Sequence, residues 1–272
     1  MSANGAAPRR ARVLRWSAWA PGIETPEAWR AWCAAPVPFA TTGHPEARFL
    51  PAMLRRRCSP LTRIALTAAW GCVEGGELGR VRSVFASRHG SVNESIEMIE
   101  QVVRRERLSP AQFSHTVHNA QAGLFCIAAQ NRAASSSIAA RADTFACGWL
   151  EVLAHLERDP ACRVLFVVAD VELAPRFAAL VEEPEASYGL ALLLARDGDG
   201  PELRFDLGGV EAAPVTPWPH AGVFLRWLQS DEPRLSLGRF HWTRCSGDVV
   251  RNRSVCPPCD YDNRLSTDRA AQ

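Results

Sequence analysis

The chain has 272 residues, 47% of them apolar and 22% charged, and its 31 basic residues, every one arginine, against 29 acidic ones leave a formal net charge of +2. A chain of this length can bury a large core in one domain, or in one domain with an appendage. A balance so close to neutral excludes the strongly basic class that binds nucleic acid or anionic membrane through its overall field.

In chain order, ARVLRWSAWA (11–20) has the brevity and aromatic content of a strand, and PEAWRAWCAA (26–35) reads as a helix with Pro at its start. SPLTRIALTAAWGCVEGG (59–76) spaces Leu61, Ile64, Ala65, Ala68 and Ala69 at helical intervals and ends at a glycine pair. RVRSVFASRHG (80–90) reads as a strand closing on Gly, and ESIEMIEQVVRRE (94–106) as a helix with Ile96, Ile99 and Val103 on one face. After LSPAQFSHTVHNA comes the small-residue stretch AQAGLFCIAAQ (120–130), then SIAARADTFACGWLEVL (137–153), which reads as strand, tight bend and helix. RVLFVVAD (163–170) and YGLALLLARD (188–197) are continuous apolar runs, the mark of strands buried on both faces. Beyond Pro201 the pattern loosens: ELRFDLGG reads as an edge strand, AGVFLRWLQ (221–229) as a short amphipathic helix, and the polar, turn-rich end as a poorly ordered tail. Strands alternating with helices predict a layered α/β domain.

Arg9, Arg10 and Arg12, and Arg55, Arg56 and Arg57, form short basic clusters without the interleaved aromatics that stack on bases, so they read as solvated faces and no nucleic-acid partner is expected. Arg15, Ser17 and Pro21 interrupt any secretory-length apolar run near the start, and nothing later approaches the about 20 apolar residues of a membrane span. The expected location is the cytoplasm, where nine scattered cysteines fit as buried free thiols. Cys256 and Cys259 have CxxC spacing, but the second half of a metal site would have to come from Cys245 or His241, with no paired CxxC. His115 and His118 also lack a nearby third ligand, so no metal is expected. GxSxG, GxGxxG and GxxxxGK[ST] are absent, which weakens hydrolase, dinucleotide and nucleotide readings together; no cofactor is expected. Asp170 closes its strand where carboxylates of α/β proteins often act, although a cap or loop hydrogen bond is the commoner use.

Taken in order, VFASRHGSVNESIEMIE, FSHTVHNAQAGLFCIAAQNRAASSSIAARADTFACGWLEVL and RVLFVVAD resemble the N-terminal half of beta-ketoacyl synthases, which have a thiolase-like fold. More narrowly, the chain resembles the short ketosynthase-like proteins of aryl polyene and xanthomonadin-type pigment clusters, where a chain length factor partners a catalytic ketosynthase. The resemblance covers residues 12–240 and is most specific from Phe113 to Leu153; it divides the chain into a lead (1–11), a ketosynthase-like domain (12–240) and a tail (241–272). It implies one half of a ketoacyl synthase, a mixed sheet with flanking helices.

In a ketosynthase the strand is followed by a bend of the type T-A-C-x-S, whose cysteine thiolate is favoured by the helix dipole and attacks the acyl thioester. Laying Ser137 to Phe145 on that pattern puts Ala142 at the cysteine, and Cys147 falls further into the helix. Neither an HGTGT-like nor a GFGGHN-like segment is present, and the sequence after Asp170 is shorter than a second half needs. The helix itself is intact: Asp143 is placed to cap it, and Phe145, Trp149, Val152, Leu153 and Leu156 make an apolar stripe.

The resemblance therefore implies a non-catalytic subunit that pairs with a catalytic ketosynthase and, through that complex, meets acyl carrier protein. Its contact surface would be Ala120 to Ala129 with Ser135 to Ala140, bringing in His118, Asn119, Ser137, Ile138 and Ala139. Phe125, Phe145 and Trp149 would limit the acyl channel. A single half would also leave a large apolar layer for a partner to cover. The alternative is an active thioester-forming enzyme that uses Cys147 or Cys126.

Overall fold

The computed structural model describes residues 9–40, 43–73, 75–180, 186–209, 211 and 218–245. Its strands are β1 (Arg9–Trp19), β2 (Arg82–Ala86), β3 (Ser135–Ile138), β4 (Val164–Asp170), β5 (Tyr188–Ala195), β6 (Glu202–Leu207), β7 (Arg234–Leu237) and β8 (Phe240–Arg244). They form an 8-stranded sheet in the order β3-β2-β4-β5-β1-β6-β8-β7. The helices are α1 (Pro26–Ala34), α2 (Ala52–Arg55), α3 (Pro60–Cys72), α4 (Gly75–Leu78), α5 (Val92–Val103), α6 (Pro110–Phe113), α7 (Ala120–Ala128), α8 (Thr144–Arg158) and α9 (His220–Leu228). The sheet is mixed: β2 runs parallel to β3 and β4, and the other pairs are antiparallel.

The two continuous apolar runs set the architecture. Every residue of β4 and β5 is buried, and the strands pair from Val164↔Leu194 to Asp170↔Tyr188. Strands without a polar face need a layer on each side. Leu165, Val167, Ala169, Ala191 and Leu193 face one core, shared with α3 and α7; Phe166, Val168, Leu190, Leu192 and Leu194 face the other, shared with α8 and α9.

Two glycines let the helices approach the sheet. A Cβ on Gly148 of α8 would lie 2.5 Å from Phe166 Cε2, and one on Gly189 of β5 would lie 2.9 Å from Ile64 Cγ2 of α3. The start of α3 is fixed locally by Pro60 and by the Thr62 N–H, which donates to Ser59 Oγ at 3.2 Å.

Three expectations change. ELRFDLGG does not form an edge: β6 lies between β1 and β8 and pairs with both. β7 and β8 form in a stretch whose apolar alternation is too brief to stand out, and β8 reaches Arg244, inside the segment assigned to the tail, as β1 begins at Arg9, inside the assigned lead. Cys256 and Cys259 lie outside the described residues.

The third change concerns the apolar layer. Phe224 of α9 lies 4.9 Å from Phe145 and 5.2 Å from Trp149, and Trp242 of β8 lies 5.8 Å and 6.0 Å from the same rings. The chain's own later elements therefore cover α8, so burial of that helix requires no second protein.

Among the described residues no helix is long and apolar enough to cross a membrane, and Cys33, Cys58, Cys72, Cys126, Cys147, Cys162 and Cys245 are free thiols.

Gly148→Ala tests the close packing of α8. Alanine gains up to about 1 kcal/mol in helix propensity, but the methyl meets the Phe166 ring, and overpacking costs roughly 1–3 kcal/mol. Urea unfolding should show a lower midpoint at unchanged slope. A more stable variant would mean that Phe166 can move aside freely.

Candidate functional site

The bend between β3 and α8 is built from a short strand and one strained residue. β3 ends the sheet and pairs with β2, from Ser83↔Ser135 to Ala86↔Ile138. Arg141 then takes φ 52°, a left-handed conformation unusual without glycine. It turns the chain into a single 3-10 turn, Arg141–Asp143, that leads into α8.

Thr144 secures this turn. Its Oγ1 accepts the Ala140 N–H at 3.0 Å and donates to the Arg141 carbonyl at 2.7 Å. Asp143, expected as the cap, stands at that position but makes no side-chain cap bond. Its φ of −84° and ψ of 6° are not the extended backbone that aims a cap side chain back at the first helical N–H groups.

Ala142 is exposed in the middle of the turn and carries only a methyl group. Cys147 lies further on, half-buried; burial raises its pKa, and the nearby Asp143 carboxylate raises it further. Burial alone raises that of Cys126. Neither thiol has the electropositive setting of an activated cysteine. Phe145, Trp149, Val152, Leu153 and Leu156 are all buried, so the apolar stripe of α8 forms as its spacing predicts.

Beside the bend, Phe85, Ala86 and Ser87 at the end of β2 meet Leu61 and Ala65 of α3, Val167 and Ala169 of β4, and His118 and Gln121 around the start of α7. Together they line a shallow cleft that opens to solvent and has a free volume of only about 10 Å³, room for about one water. Its polar wall is a closed network. Buried Asp170 accepts hydrogen bonds from Ser87 Oγ (2.9 Å), the Arg88 N–H (2.7 Å) and Tyr188 Oη (3.0 Å). Ser87 Oγ accepts the Gly90 N–H at 2.9 Å, His118 Nε2 lies 3.3 Å from the Ser87 carbonyl, and Gln121 donates to Ser91 Oγ at 3.3 Å.

Asp170 thus serves loop hydrogen bonds, the commoner of its two expected uses. Next to it, burial followed by the Arg88 charge lowers the pKa of His89 in spite of Asp170, and burial raises that of Glu94. Both shifts favour the uncharged forms. Among the described residues no cluster of three or more His, Cys, Asp or Glu could hold a metal. His115 and His118 stand in turns.

The expected channel residues do not converge. Phe125 is fully buried against Phe85 (5.5 Å) and Trp70 (5.7 Å) in the α3–α7 core. Phe145 and Trp149 lie in the other core, across the sheet. The aromatic side chain that lines the cleft is Phe85, which was not singled out in the sequence. The signal was period-two alternation: Val84 and Ala86 belong to the α8 core, and Phe85 between them faces α7.

The expected contact residues lie on and just after β3 and just before α7. α7 packs against β3. Asn119 and Ala139 are exposed, His118, Ser137 and Ile138 are half-buried, and Ile127 on the outer side of α7 is 67% exposed.

The sequence profile of the family described as beta-ketoacyl synthase, N-terminal domain, matches residues 29–243. No curated relative matches in sequence. Among solved structures, the chain is similar to one of the ketosynthase ApeO in complex with its chain length factor ApeC from Xenorhabdus doucetiae. That match has a TM-score of 0.72 and 26% identity and covers 86% of this chain and 98% of the other. The ishigamide ketosynthase/chain length factor matches with a TM-score of 0.56 and 15% identity, over 72% of this chain and 67% of the other. AntDE:AntF, a type II acyl-carrier protein in complex with its ketosynthase, matches with a TM-score of 0.58 and 11% identity, over 74% and 70%. The last two similarities are of fold. The overlap gives the sheet and its flanking helices a thiolase-like half as their template.

The two thiols give a direct chemical test. With raised pKa values, Cys147 and Cys126 are protonated at neutral pH, and their thiolate fractions grow only as pH rises above the ordinary thiol range. Iodoacetamide followed by intact-mass measurement should find both slow at pH 7 and faster in alkali. Fast, selective labelling of either at pH 7 would restore the enzyme reading.

Proposed function

Since this chain belongs to the beta-ketoacyl synthase N-terminal domain family, we propose that it is a chain length factor-type subunit, without condensing activity of its own. It pairs in the cytoplasm with a catalytic ketosynthase and helps set the length of a polyene chain of the aryl polyene kind, built on acyl carrier protein. The observation that carries this reading is the bend. β3, the turn and α8 keep a nucleophile-presenting layout, while the turn Arg141–Asp143, exposed throughout, carries a guanidinium, the methyl of Ala142 and a carboxylate but no thiol or hydroxyl. The similarity to ketosynthase/chain length factor complexes supports the same assignment.

The working unit runs from β1 through β8, and the partner is assigned to the outer edge of β3 with the exposed side of α7. Ile127 there stands 67% exposed, a large apolar side chain whose burial on association is favourable. The chain-length function is assigned to the cleft next to that surface, with Phe85 as its wall and Phe125 behind it. Filled volume at the end of an acyl channel excludes further methylenes. Phe145 and Trp149 support α8 from the opposite core and act on length only indirectly.

Co-expression with the ketosynthase, followed by mass measurement in solution, tests the pairing: a heterodimer is expected, and Ile127→Asp should deplete it. A well-behaved monomer that ignores the ketosynthase would sink the reading.

Product analysis tests the cleft. Phe85→Ala should lengthen the product, whereas Trp149→Ala should lower stability by about 3–5 kcal/mol and leave product length unchanged in whatever protein folds. Unaltered length with Phe85→Ala in an intact complex would remove the cleft from the assignment.

A further inference from the structure

Ser136, Glu151 and His155 form a polar cluster beside the outer edge of β3. Ser136 Oγ donates to Glu151 Oε1 at 2.7 Å, and His155 Nε2 lies 3.5 Å from that oxygen and 3.4 Å from Ser136 Oγ. The three residue types suggest a catalytic triad, but the geometry excludes one. The serine hydroxyl donates its hydrogen bond to the carboxylate and not to the ring, and serine and glutamate approach the same histidine nitrogen, so the ring cannot pass a proton between them.

The place of the cluster gives it another use. Ser136 is on the strand that ends the sheet, and its side chain points to the α8 side, where Glu151 and His155 stand one helical turn apart. A strand added alongside β3 would lie about 4.7–4.9 Å away, and its residue opposite Ser136 would touch this cluster on the same face.

Glu151 is partly exposed, and among the described residues its contacts with Ser136 and His155 both fall on Oε1 rather than Oε2. Covering the cluster takes it out of water, and a carboxylate oxygen left buried without a donor is costly. Residues Ser135–Ile138 would offer a second copy of this chain three hydroxyls and an isoleucine, but no cation.

We propose that Glu151, positioned by Ser136 and His155, is the partner-selecting residue of this subunit, receiving a basic side chain from the ketosynthase strand that adds to β3. This rests on the reading of the chain as a ketosynthase-pairing subunit. Specificity of this kind works by rejection as much as attraction: a partner without the cation leaves the carboxylate unpaired.

The experiment measures the Kd of the purified chain for the co-expressed ketosynthase at low and high salt, for wild type, Glu151→Gln and Glu151→Arg. Thermal melting confirms that all three are folded. Wild type should weaken with salt, as a charge pair does. Glu151→Gln should bind roughly tenfold or more weakly at low salt and lose most of the salt dependence. Glu151→Arg should bind more weakly still. If wild type does not bind the ketosynthase, the subunit reading fails and the inference falls with it. If wild type binds and the folded Glu151→Arg binds equally well, the inference alone is overturned.

Discussion

The structure depends first on strands β4 and β5 having no face that tolerates water. All fifteen residues of these two strands, Val164–Asp170 and Tyr188–Ala195, are buried, and both faces must be covered by other elements. α3 and α7 supply one cover, α8 and α9 the other. The remaining strands extend the sheet on either side of this pair. At about 25 cal/mol per Å² of buried apolar surface, such a double-sided core outweighs local conflicts. One of these is Arg141, held at φ 52° in the bend. The helices come close because Gly148 and Gly189 stand where any side chain would meet Phe166 or Ile64.

A second constraint acts at the ends of the strands. Asp170 is buried at the end of β4, and its three donors come from Ser87, the Arg88 backbone and Tyr188. It thereby ties together the exits of β2 and β4 and the start of β5. The cleft next to it owes its shape to this network. Its polar groups are occupied in holding the loops, and the bend beside it presents a methyl group. The ketosynthase-like scaffold is retained, and the proposed role rests on the shape of this cleft.

The later part of the chain changes what a partner has to do. α9 and β8 bring Phe224 and Trp242 onto Phe145 and Trp149, so the α8 core is closed within one chain. Under the proposed pairing, association falls to an edge rather than to an uncovered layer. At that edge the residues are short and polar on β3, apolar at Ile127, and charged at Glu151. Such an edge supplies backbone pairing and discrimination more than bulk hydrophobic area.

Much of this was legible in the sequence because it depends on neighbours along the chain. The unbroken runs of β4 and β5, the helical spacing of α3 and α8, and the strand, bend and helix around Ala142 are all local patterns. Periodicity assigns a side chain to one face of its element, but it does not say which elements that face will meet. For this reason Phe125 could be grouped with Phe145 and Trp149 although the sheet separates them. For the same reason β6 read as an edge, since its second neighbour, β8, comes from residues more than thirty positions later in the chain. Asp143 makes no cap bond, and Thr144 holds the bend instead through the Ala140 N–H and the Arg141 carbonyl, because backbone dihedrals at the bend, set by how β3 and α8 pack, decide which oxygen reaches an N–H. The sequence by itself determined the elements and put Ala142 in the bend between β3 and α8; the tertiary structure decided which faces meet, because burial is a property of pairs of elements and not of either one alone.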